Sequence, residues 1–268
     1  VRSNTTVARP DNPNERESGA SYTLTGHKWF TSAPMCDAFL TLAYADESDR
    51  SQGPSCFLVP RLMPDGTRNA GFQIQRLKNK LGDLSNASSE VEYHGAHGRL
   101  IGQEGRGVKY IIEMVNLTRL DCTLGSAALM RSALSQALHH TSERKAFGAV
   151  LSKQPLMQSV LAELALNSEA FTLLAFRSAR GIDDAEHNPT DQNTSALSRL
   201  LTAVAQYYVC KAAPHFVYEA MECHGGNGYV EVWRQTLSVS LSVSVHAKYM
   251  YIIIIFSLFK QWHFLKKG

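Results

Sequence analysis

The stretch Gly107-Val-Lys-Tyr-Ile-Ile-Glu-Met-Val115 marks the point at which the spacing of apolar residues along this chain changes. From here to Leu138, apolar residues recur every three or four positions. That spacing places side chains on one face of an α-helix. Residues 107–138 are therefore predicted to be helical.

Upstream of this point the apolar residues alternate in short runs, which is typical of half-buried β-strands. Turn residues, including Gly26 and the sequence Pro64-Asp-Gly66, separate these runs. The predicted strands cover residues 22–24, 38–42, 56–59, 72–74 and 91–93. They predict an antiparallel β domain over residues 1–100.

Downstream, two more helices are predicted. One begins at Pro155, because proline is favoured in the first helical turn. Its inner face is predicted to contain Met157, Val160, Leu161 and Leu164. A polar linker over residues 183–193 precedes the last helix, residues 197–223, which ends near a left-handed Gly225. The fold class is therefore α+β, with the β domain followed by an antiparallel helical bundle over residues 101–230.

The last part of the chain, residues 231–268, departs from both patterns. Serine alternates with apolar residues over 236–245, almost without charge, and an apolar run follows over 249–259. This run is shorter than the roughly 20 residues that a membrane-spanning helix needs. Its composition is that of an aggregation-prone β segment. We predict a disordered or artefactual tail and no membrane partner, with lipid anchoring as the alternative.

The overall composition limits the possible functions. The 268 residues are 44% hydrophobic, which is enough for two domains, and the formal net charge of +3 does not by itself indicate nucleic-acid binding. The five cysteines are scattered and contain no C-x-x-C pair, so neither a disulfide framework nor a metal site is predicted. A reducing compartment follows, either cytoplasmic or, in a eukaryote, mitochondrial.

Three motifs could carry chemistry, and the first is Gly26-His-Lys-Trp-Phe-Thr-Ser32. It places an aromatic ring beside hydroxyl groups at the end of a predicted strand. An aromatic wall with a hydrogen-bond donor suits a flat, partly polar heterocycle. The alternative is that Trp29 belongs to the core of the β domain.

The second motif, Arg144-Lys-Ala-Phe-Gly148 followed by Gln154, lies at the end of the long helix. A guanidinium group can bond two phosphate oxygens through its planar fork. The alternative is a solvated charge that complements the helix dipole.

The third motif, Glu222-Cys-His-Gly-Gly-Asn-Gly-Tyr229, follows the last helix. Its adjacent glycines would let a ligand approach the backbone closely. The alternative is a helix cap followed by a flexible turn. In contrast, the glycines of Gly102-Gln-Glu-Gly-Arg-Gly107 are interpreted as structural, because the context of a phosphate-binding loop is missing.

Together, over residues 1–230, these motifs resemble those of the acyl-CoA dehydrogenases. The resemblance implies FAD as the cofactor. It implies that Trp29 packs against the flavin ring and that Thr31 and Ser32 lie at its N5/O4 edge. It further implies contacts with the diphosphate and adenosine portions, partly across a subunit boundary, from Arg144, Phe147, Gln154, Glu222, Gly225 and Gly226.

Longer strings, such as Ala33-Pro-Met-Cys-Asp37 and residues 114–121, resemble the DNA-damage-associated, AidB-type branch of that family. Within the second string, Arg119 and Asp121 are interpreted as a substrate-pocket pair or as a structural salt bridge. The resemblance implies a homotetramer that performs FAD-dependent α,β-dehydrogenation of an acyl-CoA thioester.

Some motifs of the family are not found. The W/Y-E-G-[ST] stretch that holds the catalytic Glu in most members does not occur, and the flavin-contacting T-E-x-x-G-G-S-D loop and an N-terminal helical domain are expected to precede residue 1. We therefore assign no catalytic residue and expect an inactive fragment. The alternative function is a flavin-containing DNA-binding protein that protects DNA from alkylation, although the basic residues form no stripe that would bind DNA.

Overall fold

A computed structural model describes residues 4–45, 50–80, 84 and 86–230. The chain divides into a β unit, which ends at Val115, and a helical unit, which starts at Asn116 and also includes Lys80 and Leu84. Each unit is described by itself below. The predicted tail, residues 231–268, lies outside the described residues.

The β unit contains one antiparallel sheet. Its strands are β1 (Val7–Pro10), β2 (Ser21–Ser32), β3 (Ala38–Ala43), β4 (Ser55–Pro60), β5 (Phe72–Leu77) and β6 (Ser88–Ile101). The order is β1-β2-β6-β4-β3, and β5 also pairs with β6. Every predicted strand lies within an observed one, so the predicted antiparallel β domain is confirmed. The sequence analysis missed β1, because its four residues show too little alternation to be recognised.

The alternation in the strands produces the core of the β unit. Tyr22 and Leu24 of β2 are fully buried, and so are Phe57 of β4 and Val91 of β6. The rings of Tyr22 and Phe57 pack with their centroids 5.0 Å apart. The Tyr22 hydroxyl donates a hydrogen bond to Glu104, so this large ring is buried without losing a partner for its polar end.

Three long helices dominate the rest of the described chain. They are α1 (Gly107–Glu143), α2 (Pro155–His187) and α3 (Gln192–Glu222), and a short hairpin of β7 (Lys145–Ala146) and β8 (Ala149–Val150) joins α1 to α2. The start of α2 at Pro155 is confirmed. Its predicted inner face is also confirmed, because Leu161 and Leu164 are buried and Met157 and Val160 pack against the same core.

The predicted linker between α2 and α3 was too long. Only residues 188–191 separate the two helices, and α3 begins five residues earlier than predicted. Asp184 belongs to the last turns of α2, where it pairs with Arg180 at 2.7 Å, and Asp191 caps α3 by accepting a hydrogen bond from the Asn193 N–H at 2.9 Å. These polar residues therefore stabilise helix ends instead of forming a loop.

Candidate cofactor site

In the first motif, Trp29 lies on a β-bulge. The pairing of β2 with β6 runs from Lys28 opposite Val91 to Thr31 opposite Ser89, so β2 carries one extra residue in this interval. A bulge of this kind redirects side chains at the edge of a sheet. The side chain of Trp29 is 62% exposed, so it does not belong to the core of the β unit.

A mostly buried cation, Lys78, lies against the Trp29 ring. The Nζ atom of Lys78 lies 3.1 Å from the centroid of the indole, a cation–π contact that stabilises by about 0.5–2 kcal/mol. Glu90 accepts hydrogen bonds at 2.8 Å from both Arg76 and Lys78, and these bonds lower the pKa of its carboxyl group to about 2. The carboxylate is thus charged at neutral pH and fixes Lys78 against the indole.

The two hydroxyl residues of the motif have different surroundings. Ser32 is buried, and its Oγ lies 3.3 Å from Ser88 Oγ. Thr31 is half-buried, and its carbonyl oxygen accepts a hydrogen bond of 3.1 Å from Ser89 Oγ. The Ser32 hydroxyl therefore already has a protein partner, whereas the Thr31 side chain lies closer to solvent.

The lysine of the same motif has a structural role. Lys28 Nζ donates hydrogen bonds to the Leu42 carbonyl oxygen at 2.7 Å and to Asn4 Oδ1 at 3.0 Å. Burial lowers its pKa to about 8, because desolvation disfavours the charged ammonium. Lys28 ties β2 to the end of β3 and to the residues before β1, and so fixes the strand that presents Trp29.

In the second motif, the β7–β8 hairpin projects an aromatic side chain outward. Phe147 and Gly148 form its two-residue turn with φ angles of 54° and 80°. A turn with positive φ at both central residues suits a hairpin, but the left-handed region is costly for a phenylalanine. The Phe147 side chain is nevertheless 92% exposed. Strain of this kind is concentrated at functional sites.

Gln154 stabilises the strained turn through its side chain. Its Nε2 lies 3.4 Å from both the Ala146 and the Phe147 carbonyl oxygens, and donates to them from the residue before α2. The Arg144 side chain is exposed just after α1, and the Arg144 N–H donates to the His140 carbonyl oxygen at 2.9 Å. Gln154 thus supports the turn, and Arg144 remains available to an anion.

In the third motif, a 3₁₀ turn over Gly225–Tyr229 follows α3. Gly225 has a φ of +61°, the left-handed conformation predicted for it. Glu222 accepts a hydrogen bond of 3.1 Å from the Tyr229 hydroxyl, which ties the loop back to α3. A Cβ added at Gly225 or at Gly226 would have no described atom within 4 Å. This part of the loop is therefore open to an incoming ligand.

The second and third motifs are neighbours in the helical unit. The rings of His140, at the end of α1, and His224, after α3, pack with their centroids 4.9 Å apart. The sequence analysis missed this contact, because no fixed spacing connects residues 84 positions apart. It brings the helix end that leads to Arg144 next to the loop of Gly225 and Gly226.

The suggested pairing of Arg119 with Asp121 is not found. Arg119 Nη1 instead donates a hydrogen bond of 3.2 Å to Asn116 Oδ1, three residues earlier on α1. Residues two apart on a helix do not face each other, which is why the suggested salt bridge was wrong. Burial raises the pKa of the Asp121 carboxyl above its ordinary value.

Each unit, taken by itself, carries groups that can receive part of a nucleotide cofactor. In the β unit, a held and mostly exposed indole with nearby hydroxyl groups can receive a flat ring system. In the helical unit, an exposed guanidinium group, two imidazoles and an open glycine loop can receive a diphosphate. Among the described residues, no group of three side chains could hold a metal ion.

Comparison with known families gives two matches that together cover most of the chain. Residues 1–96 match the family described as Acyl-CoA dehydrogenase, middle domain. Residues 105–249 match the family described as Acyl-CoA dehydrogenase, C-terminal domain.

Curated relatives give the same result. The chain is 48% identical over 231 residues to the putative acyl-CoA dehydrogenase AidB of Escherichia coli (strain K12), which is 86% of this chain and 40% of that protein. It is 38% identical over 216 residues to acyl-CoA dehydrogenase family member 11 of Caenorhabditis elegans, covering 79% and 35%. The chain therefore spans about two fifths of the length of these relatives.

A solved structure shares the fold. The crystal structure of Caenorhabditis elegans ACDH-11 in complex with C11-CoA superposes with a TM-score of 0.83 at 33% sequence identity. The match covers 92% of this chain and 41% of that one. The arrangement of sheet and helices described above is thus also found in a protein solved with an acyl-CoA bound.

Proposed function

Since the chain belongs to the acyl-CoA dehydrogenase family, we propose that it is the FAD-binding part of an oxidoreductase that dehydrogenates an acyl-CoA thioester between its α and β carbons. The predicted resemblance to the family and to its AidB-type branch is confirmed. In such an enzyme, FAD supplies the acceptor of the hydride. The residues of this chain bind and orient that cofactor.

The main support for this proposal is that the second and third motifs lie next to each other in the helical unit. Because His140 packs against His224, the exposed Arg144 follows a helix end that contacts the loop of Gly225 and Gly226. A guanidinium group and an open glycine backbone are complementary to phosphate oxygens. We assign the diphosphate of FAD to this region and the flavin ring to Trp29, with Thr31 and Ser32 at its polar edge.

The substrate and the reaction follow from the family and from one structural relative. ACDH-11 was solved with C11-CoA, which supports an acyl-CoA as the substrate here. No catalytic base is assigned within this chain, so binding of the cofactor is a better test than turnover. Among the described residues, nothing favours the alternative of a DNA-protecting protein, since the basic groups of the site are few and local.

Replacing Arg144 by alanine tests the proposed diphosphate contact. A hydrogen bond to a charged group contributes about 1.5–3 kcal/mol, so we expect the affinity for FAD to fall at least about tenfold. Calorimetric titration of the full chain with FAD measures this change. Arg131→Ala, which removes another exposed arginine from within α1, is the control and should bind like the wild type. Equal affinity of Arg144→Ala and the wild type would refute the role of Arg144.

The helical unit also carries apolar surface that suits self-association. On α2 and on α3, large apolar side chains form a stripe on the side opposite the buried face, namely Leu166, Leu173, Phe176, Leu197, Leu200, Val204 and Tyr207, each at least half exposed. Exposed apolar side chains that share one face of a helix are typical of interaction surfaces. We propose that copies of the chain associate through them, as a tetramer in the complete protein.

Replacing Leu173 by arginine should disrupt this association. The charged side chain would be buried without a partner in the interface, so the mass measured by light scattering after size-exclusion chromatography should fall towards that of a monomer. Ser135→Arg, at an exposed polar position of α1, should leave the mass unchanged. An unchanged mass for Leu173→Arg would contradict the proposed interface.

Among the described helices, α2 is also apolar and long enough to span a membrane, judged by length and composition alone.

A further inference from the structure

Two histidines connect the motifs of the proposed diphosphate site, and the family motifs assign them no role. His140 lies in the last turn of α1, and His224 follows α3. Their rings lie 4.9 Å apart at an angle of 31°, and both residues are half-buried. His224 Nδ1 lies 3.0 Å from the Ala220 carbonyl oxygen, so this nitrogen carries a proton and donates it. The Nε2 atom of His224 is then the ring nitrogen that this hydrogen bond does not use.

Titratable and charged groups surround the His140–His224 pair on both α1 and α3. On α1, His139 and Arg144 act on His140, together with His224. On α3, Glu219 and Glu222 are the carboxylates that act on Cys223, the residue next to His224. Glu222 already accepts a hydrogen bond from Tyr229. Arg144 makes the α1 side of the pair cationic, and Glu219 Oε1 lies 4.0 Å from His215 Nδ1, so both carboxylates on the α3 side have other neighbours.

These surroundings favour an uncharged His140 ring when no anion is bound. Burial, followed by electrostatic interactions with His224, Arg144 and His139, lowers the pKa of His140 below its ordinary value. Two imidazolium groups at this separation would repel each other. A bound anion would remove that repulsion and would favour the protonated forms.

We propose that His140 and His224 form a pH-sensitive part of the diphosphate site, in which the pair takes up a proton from solvent when a diphosphate binds beside Arg144. This inference rests on the proposed function and adds a mode of regulation to it. The bond that forms is N–H on an imidazole nitrogen, and the proton comes from the buffer. Binding that takes up protons strengthens as pH falls, by up to about tenfold per pH unit for each proton.

Calorimetric titration with FAD between about pH 6 and pH 8.5 tests the inference. FAD is a suitable probe because its diphosphate is a diester, so its charge does not change over this range. We expect the affinity of the full wild-type chain to rise several-fold per unit as the pH falls. The double variant His140→Phe and His224→Phe retains two packed rings but cannot titrate, and its affinity should not depend on pH. His94→Asn, an exposed histidine of β6, should retain the wild-type dependence.

A second measurement needs no variant. Proton NMR of the His140 and His224 ring protons in the wild-type chain should show that adding FAD raises the pKa of at least one ring by about half a unit or more. The inference would be overturned if FAD binding had the same pH dependence in the wild type and the double variant, or if FAD left the ring pKa values unchanged. Either result would leave the proposed function intact. Absence of FAD binding at every pH would overturn the proposed function and, with it, this inference.

Discussion

Replacing Gly107 by alanine is expected to lower the free energy of unfolding by roughly 3 kcal/mol, the upper part of the range for overpacking a close contact. A Cβ at this position would lie 2.3 Å from the Ser55 carbonyl carbon and 2.4 Å from the Cys56 nitrogen. Both are backbone atoms and cannot rotate away. The Gly107 N–H also donates to the Pro54 carbonyl oxygen at 2.9 Å, so α1 begins in direct contact with β4.

Gly125 provides the matched control on the same helix. A Cβ there would meet no described atom within 4 Å beyond the neighbouring backbone of its own helix, and alanine is favoured over glycine in a helix by about 1 kcal/mol. Urea unfolding of both variants should therefore show a loss of stability for Gly107→Ala and a gain for Gly125→Ala. If Gly107→Ala were as stable as the wild type, α1 could not begin against β4 as described.

Replacing Gly226 by valine is expected to reduce the affinity for FAD roughly 100-fold, which corresponds to about 2.7 kcal/mol. The backbone at this position is exposed, and the space that a Cβ would enter holds no atom of residues described here. A branched side chain would fill the region through which a diphosphate approaches the loop. The same openness means that the stability of the chain should change little.

Two measurements separate binding from folding in this variant. Calorimetry with FAD gives the affinity, and urea unfolding gives the stability. Ala128→Val adds similar bulk at an exposed position of α1. It should leave the affinity unchanged and lower the stability by less than about 0.7 kcal/mol, because valine has a lower helix propensity than alanine. Wild-type affinity in Gly226→Val would contradict the assignment of the glycine loop to the cofactor, even if Arg144→Ala behaved as expected.

Local patterns predicted most of the fold. Alternation placed the strands because each has one buried face, as in β2, where Tyr22 and Leu24 are buried between exposed neighbours. Helical spacing likewise placed α1, and Pro155 marked the start of α2. The polar residues between α2 and α3 were wrongly predicted to form a long linker. Asp184 instead lies in the last turns of α2, and Asp191 caps the start of α3. Polar composition alone does not distinguish a helix end from a loop.

The candidate site was predictable only in part. Motifs identified Trp29, Arg144 and the glycine loop, since each has a recognisable sequence around it. The Lys78 contact with Trp29 and the His140 contact with His224 could not be predicted. Both depend on tertiary packing between residues far apart in sequence, and no local pattern encodes such contacts. Gln154 was identified through its motif, but its support of the Phe147 turn became clear only from the structure.

Titration of the purified wild-type chain with FAD, followed by flavin fluorescence and visible absorbance, tests the central claim most directly. The account predicts saturable binding, with quenched flavin fluorescence and perturbed visible bands as the ring packs against Trp29. FAD whose fluorescence and absorbance remain those of the free cofactor at every protein concentration would contradict the claim that this chain binds it.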